Sequence, residues 1–393
     1  MDEISILFGG DFCPIGRTAE LFDAGSAALA TAIGDVKALA DRVDLFVANL
    51  ECPLTTSRTP QPKCGAVLAG SPAGAGLLRS LGVRLVTLSN NHVFDHGMEG
   101  LADTLDALGE AGISCVGAGR THEEAREIRY ESLRGRLVAF VGMAEREAGC
   151  SGPGRGGANP FDTIAAVKAI REARKNARHV VLCLHGGLES THFPSPEAVR
   201  TLRFLAEEGA TAVIRHHPHS VQGYEYWKGV PIFYSVGNLL FDWPYALMDA
   251  GWYEGILVEL RVDERDRCST VIHPFVQSNG GIGMKRLEDA ARDGFLERLE
   301  EWSRAIGDDA VLRHRWAEAL DARRSSYLSI LALPHPILGR IARRLGLIGL
   351  VRPGRTNRMI LENYFRCDAH REAVLGVLER MPQGIHTKGP DEY

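Results

Sequence analysis

Short aliphatic and β-branched runs, each ending in a knot of polar and ionisable residues, recur along this 393-residue chain. Ile4 to Phe8 runs into Gly9-Gly10-Asp11, and Leu45 to Ala48 runs into Asn49-Leu50-Glu51. Val83 to Leu88 leads to Ser89-Asn90-Asn91-His92-Val93-Phe94-Asp95-His96-Gly97. His179 to Leu184 delivers His185-Gly186-Gly187-Leu188-Glu189, and Ala212 to Ile214 delivers Arg215-His216-His217-Pro218-His219. The intervening segments carry helical spacing: about Leu21 to Leu39, then Met98, Leu101, Leu105 and Leu108, then a stretch capped by Asp162 and reaching about Asn176, then Pro196 to Glu208. Alternation of buried strands with helices is the pattern of an α/β fold with a largely parallel sheet. Its right-handed crossovers bring successive strand tips to one edge, where open α/β sheets gather their ligand groups.

That placement gives the tip residues their chemical meaning. Gly9 and Gly10 are expected to turn the chain sharply and leave Asp11 at the first tip. Asp11 and Glu51, on adjacent strands, then approach each other, and two such carboxylates repel unless a cation lies between them. In the third knot Asn91 offers a neutral oxygen and His92 an imidazole, which Asp95, three residues on, is placed to hold in one tautomer. The competing reading is a turn whose Asn side chains cap the following helix. A lone His185 at a strand tip is ordinarily a satisfied structural residue, and spacing leaves both readings open. Three His in four positions are harder to explain by packing, because each buried imidazole needs a partner. His217 and His219, one residue apart, share a face if the segment is extended. Beyond them, Val221 to Trp227, Pro231 to Asn238, Glu254 to Val262 and Cys268 to Phe275 read as strands, with a meander closing a second sheet. The turn Gly117-Ala118-Gly119-Arg120 and the glycine-rich loop Cys150 to Gly157, expected over the site, complete this part.

Length exceeds one ordinary core, so one large α/β unit with an appendage, or two domains, is expected. The division falls at 1–284 for the α/β unit and 285–393 for a helical, Arg-rich C-terminal extension, with Trp302 and Trp316 as packing anchors. A net charge of −5 argues against a nucleic-acid surface as the main business of the chain. No stretch has the ~18 uncharged apolar residues of a membrane span, and the N-terminus enters a strand without the marks of a signal peptide. The eight Cys are scattered without close spacing, as free thiols in a reducing cytoplasm would be. The basic, amphipathic segment 337–350 reads first as a helix on the core and second as a contact with an anionic membrane surface. The oligomeric state is not legible.

The order and chemistry of the tips resemble the calcineurin-like metallophosphoesterase superfamily, and more closely the poly-gamma-glutamate biosynthesis protein CapA family. The motifs are Gly10-Asp11; Asn49-Leu50-Glu51-Cys52-Pro53-Leu54; Asn90-Asn91-His92 with Asp95 and Gly97-Met98-Glu99-Gly100-Leu101; Gly117-Ala118-Gly119; His185-Gly186-Gly187-Leu188-Glu189; His216-His217-Pro218-His219; and Tyr234-Ser235-Val236-Gly237-Asn238. They span residues 4 to 245. The resemblance implies a four-layer α/β/β/α sandwich with Asp11, Glu51, Asn91, His185, His217 and His219 holding one or two divalent transition metals (Mn, Fe or Zn). It further implies His92 as proton donor or stabiliser oriented by Asp95, and Arg17, Glu189 and Asn238 as contacts for an anionic small-molecule or polymer substrate. Two positions depart from the superfamily pattern: Cys13 stands where a second His is usual, and Glu51 where Asp is usual, so the standing of Cys13 as a ligand is open. The activity implied is a metal-dependent hydrolase acting on a phosphate ester or a glutamyl-type amide. The alternatives are a non-hydrolytic accessory protein for synthesis or export of an anionic polymer, and a biosynthetic transferase or ligase reusing the metal centre.

Overall fold

A computed structural model describes residues 3–22, 26–243, 250–279, 281–331 and 355–380. Two sheets stack face to face. The first contains β1 (Ile4–Cys13), β2 (Leu45–Leu50), β3 (Leu85–Thr87) and β4 (Ser114–Val116), all parallel. A two-stranded ribbon of β5 (Ala118–Gly119) with a later strand follows. The second sheet begins with β6 (Arg129–Leu133) and β7 (Arg136–Ala144); β8 (Gly157–Ala158) closes the ribbon. The second sheet continues with β9 (His179–His185), β10 (Ala212–His216), β11 (Tyr224–Trp227) and β12 (Val230–Phe233). Its order is β11-β12-β10-β9-β7-β6.

Helices α1 (Ser26–Ala40), α2 (Gly74–Leu81) and α3 (Gly97–Glu110) cover the outer face of the first sheet. After the short α4 (His122–Ala125), α5 (Thr163–Asn176) and α6 (Pro196–Glu207) cover the outer face of the second. The Asp162 carboxylate accepts the Ala165 N–H at 3.0 Å and caps α5 as its sequence predicts. Between the sheets lie Ile4, Ile6, Phe8, Val47, Phe140, Val181, Cys183 and Ile214, all buried. Strand residues of alternating face thus feed one core between the sheets and one beneath each helical layer. The protein is a four-layer α/β/β/α sandwich.

Three local expectations are corrected. First, β13 (Asn238–Phe241), β14 (Glu254–Val262), β15 (Cys268–Gln277) and β16 (Met284–Arg286) do not extend the second sheet; they join the first, β14 antiparallel to β1 and β13 parallel to its end. An apolar run carries no label for the sheet whose edge it completes, and here the open edge was that of β1. Second, Gly9 and Gly10 do not turn; they lie within β1. A Cβ at Gly10 would stand 1.9 Å from the Gly237 carbonyl oxygen, so glycine there permits the close approach of the chain just before β13. Third, residues 118–119 within the expected turn pair as a strand with 157–158.

After the four-residue α7 (Ala250–Tyr253), the described residues beyond β16 form helices α8 (Asp289–Gly307), α9 (Asp309–Leu331), α10 (Arg355–Arg366) and α11 (Asp368–Glu379). Trp302 packs with Phe295 and Leu299 on the inter-sheet core, and Trp316 packs with Leu320, Tyr327, Ala373 and Val377 against Leu188, close to the strand tips. No helix among the described residues is long and apolar enough to cross a membrane. Segment 337–350 lies outside the described residues. All eight cysteines are free thiols.

Candidate metal centre

The tips of β1, β2, β9 and β10 and the turn after β3 meet at one buried point. Asp11 sits where the pairing of β1 shifts register against both β2 and β13, a bulge that re-aims its side chain. Asn49 and Glu51, two residues apart at the end of β2, face the same way; Asn49 Nδ2 donates to Asp11 Oδ1 at 2.7 Å. In the turn after β3 the two readings divide between the two asparagines. Asn90 Oδ1 accepts the backbone N–H groups of His92 and Val93, at 3.1 and 2.8 Å, and shapes the turn. Asn91 Oδ1 instead points at His185 Nε2, 3.0 Å away.

His217 and His219 reach the centre by a route the spacing did not foresee. The strand ends at His216, whose Nε2 lies 3.1 Å from the Gly9 carbonyl oxygen and ties the two sheets. His217 and His219 then adopt φ values of +98° and +54°. Left-handed backbone at non-glycine residues is costly and persists where the surroundings over-determine it, most often at functional sites.

The donor atoms form overlapping sets. Those of Glu51, His185 and His217 lie within 4.8 Å of one another, as do those of Asp11, Glu51 and His219. A third set joins Glu189 to His217 and His219. Asn91 Oδ1 and His217 Nδ1 both lie close to His185 Nε2, at 3.0 and 3.1 Å, which places Asn91 beside the first set. Glu51 belongs to both of the first two; its Oε1 is 3.5 Å from His185 Nε2 and 3.5 Å from His219 Nε2. Both of its carboxylate oxygens are buried without a hydrogen-bond partner. Such a group is expensive in a protein interior unless a cation meets it.

The electrostatics agree. Burial and the neighbouring Asp11 charge push the Glu51 carboxyl well above the usual range. Burial likewise drives His185 well below its ordinary value and His217 to about 4, so both rings are neutral and ready to ligate. Against the raising effect of burial, the contact with His219 holds Asp11 down, and Asp11 in turn raises His219 against burial. His219 Nδ1 lies 2.9 Å from Asn238 Oδ1, while Asn238 Nδ2 donates to the Trp252 carbonyl. This network assigns the Nδ1 proton and leaves the Nε2 lone pair facing Glu51. Asn238 is therefore placed to orient His219. The set of carboxylate, amide and imidazole donors fits Mn, Fe or Zn. Cys13 is outside all three sets: its side chain packs with Cys52, Leu68, Phe241 and Trp252, and burial raises its thiol well above the usual range.

Beside the centre, His92 Nδ1 lies 2.7 Å from Asp95 Oδ2. Asp95 also accepts the Leu68 N–H at 2.7 Å and pairs with Lys63 Nζ at 2.6 Å. The same ammonium donates to the Asn91 carbonyl at 2.8 Å. Lys63 thus clamps the His92–Asp95 pair and the backbone of a metal-facing residue together. Burial, then the Lys63 charge, lower the His92 pKa; the charges of His92 and Lys63 hold Asp95 below the carboxylate range despite burial. Nothing in the sequence around Lys63, a cation in a Pro- and Gln-containing loop, marks it. Asn49 did carry a signal, its two-residue offset from Glu51. Arg17 forms a two-point contact with Asp242, with Nη2–Oδ1 at 2.6 Å, and donates to the Ser278 carbonyl. Glu189 is exposed at the rim, its Oε1 4.0 Å from His217 Nε2.

The sequence has counterparts. The chain is 33% identical over 171 residues to the capsule biosynthesis protein CapA of Bacillus anthracis, covering 42% of each chain. It is 29% identical over 207 residues to the PGA biosynthesis protein CapA of Bacillus subtilis, covering 51% of this chain and 53% of that one. It is 25% identical over 234 residues to a probable polyglutamine synthesis accessory protein of Mycobacterium tuberculosis, covering 56% and 60%. It thus matches about half the length of these relatives. The family model for bacterial capsule synthesis protein PGA_cap matches residues 5–243, a span that holds every tip residue from Asp11 to Asn238. By that match, over more than half its length, the chain belongs to the bacterial capsule synthesis protein PGA_cap family.

Proposed function

We propose that this protein is a metal-dependent hydrolase that cleaves a phosphate ester or a glutamyl-type amide, with His92 as proton donor and Asp95 as its orienting partner. The observation that carries this reading is Glu51, whose two buried, unpartnered oxygens lie between two sets of ligand atoms. Asp11, Glu51 and His219 would hold one ion, and Glu51, Asn91, His185 and His217 a second. A divalent metal there supplies Lewis acidity that activates water and polarises the bond to be cleaved. The chain's own residues supply the rest. Asp95 holds the His92 ring by Nδ1 and stabilises its charged form, so Nε2 is the nitrogen that hands a proton to the departing group.

Elemental analysis of the purified protein beside His217→Ala and Asp11→Asn tests this. The expected result is about two equivalents of Mn, Fe or Zn in the native protein, lost in both variants while the fold persists. Full occupancy in both variants overturns the ligand assignment. A second reading is favoured by the names of the relatives, which refer to capsule, PGA and polyglutamine synthesis: an accessory role that uses the centre to bind an anionic polymer. Metal retention without turnover on any phosphodiester or glutamyl amide supports that reading over the first.

A further inference from the structure

A cavity of about 520 Å³ lies between the loops that carry Lys63, Phe94 and Arg155 and the helix α10. Asp95 and Lys63, which both contact His92 at Nδ1, form one wall, so the cavity lies behind the His92–Asp95 pair. Its charges do not cancel. Lys63 is spent on Asp95 at 2.6 Å, and Glu362, the other carboxylate of the lining, has its nearest ion-pair partner in Arg358, 3.9 Å away. That leaves Arg155 and Arg366, which form no ion pair with any described carboxylate. The Arg155 guanidinium is held 4.7 Å above the Phe94 ring, which fixes its position without neutralising it. Arg366 comes from the last turn of α10, outside the span that the family model matches.

We propose that this cavity binds an acidic group, a carboxylate or a phosphate, with Arg155 and Arg366 as its anchors. Two guanidiniums present several N–H donors in a geometry that suits a planar or tetrahedral oxyanion. The C-terminal extension thereby supplies a specificity element that the family-matched region lacks. The identity of the parent molecule rests on the hydrolase reading; the binding of the anion does not.

The test is isothermal titration of the full-length, metal-loaded protein with glutarate and, separately, with inorganic phosphate. The comparison proteins are Arg155→Gln/Arg366→Gln, the charge reversal Arg366→Glu alone, and His217→Ala. The expected result is saturable binding of one of the two anions, weakened at least tenfold in both arginine variants and kept in His217→Ala. Binding of glutarate assigns a carboxylate and binding of phosphate a phosphoryl group. Three results overturn the proposal: no binding of either anion, unchanged affinity in the arginine variants, or loss in His217→Ala, which would place the anion on the metal ligands. Absent metal or absent turnover would instead count against the hydrolase and leaves this measurement readable.

Discussion

Replacing Lys63 with Met leaves the Asp95 carboxylate, 1% exposed, without its cation. Breaking a buried pair by removing one partner costs ~3–5 kcal/mol. Asp95 keeps the Leu68 N–H and the His92 ring, each at 2.7 Å, which places the loss at the low end, about 3 kcal/mol. That is roughly a hundredfold in the folding equilibrium. The assay is urea unfolding of Lys63→Met, Asp95→Asn and the double variant. Because each single change strands a partner that the double change also removes, the double variant should lose less than the sum, by at least about 1 kcal/mol. Additivity within ~0.5 kcal/mol would refute the reasoning. The pH dependence has a definite sign. Asp95 is held below its ordinary 3.8 in the folded protein, so its contribution is present above that value and fades as the pH falls through and below it. In Lys63→Met that acid-side loss should be smaller and complete at higher pH, because only the folded-state value rises.

His92→Ala should keep its metal but lose turnover by ~10²–10⁴-fold; undiminished activity with intact metal content removes His92 from the mechanism. Glu145 accepts the Ala369 N–H at 3.0 Å and the Cys367 thiol at 3.2 Å while pairing with Arg215 at 2.8 Å, and so pins the start of α11 to the strand tips. Glu145→Ala should destabilise the protein by ~3 kcal/mol or more and expose residues 368–379 to limited proteolysis; an unchanged cleavage pattern would show that α11 is held by its apolar face alone. Burial pushes Glu147 from the usual 4.5 up to about 7. With a folded pKa above the unfolded one, its contribution is full below 4.5 and is lost as the pH rises through 7. Thermal melts at pH 5 and pH 8 should therefore show the native protein losing more stability across that interval than Glu147→Gln, and parallel curves would contradict the burial argument.

Some of the site was legible because strand tips are local features. An apolar run ending in an acid or an imidazole announces both the strand and the group at its end, as at Asp11, Glu51, His185 and His217. Local pattern failed where a partner from far along the chain decides conformation. Gly10 is glycine because of the carbonyl of Gly237, 227 positions later, which no local rule for turns contains. His217 and His219 face the centre by left-handed backbone rather than by the alternation of an extended segment.

The sequence by itself determined the layered α/β class, the helical layers and the set of polar tips, because periodicity and strand-end chemistry are written within a few residues. Only the tertiary structure decided which sheet strands β13 to β16 complete, since edge pairing depends on which backbone groups elsewhere are left open. It alone set Glu51 between two ligand sets, turned Asn238 toward His219 and brought Lys63 to Asp95 across 32 residues. Those relations are distances between segments that do not touch in sequence, and they arise only when burial forces charged groups to find one another.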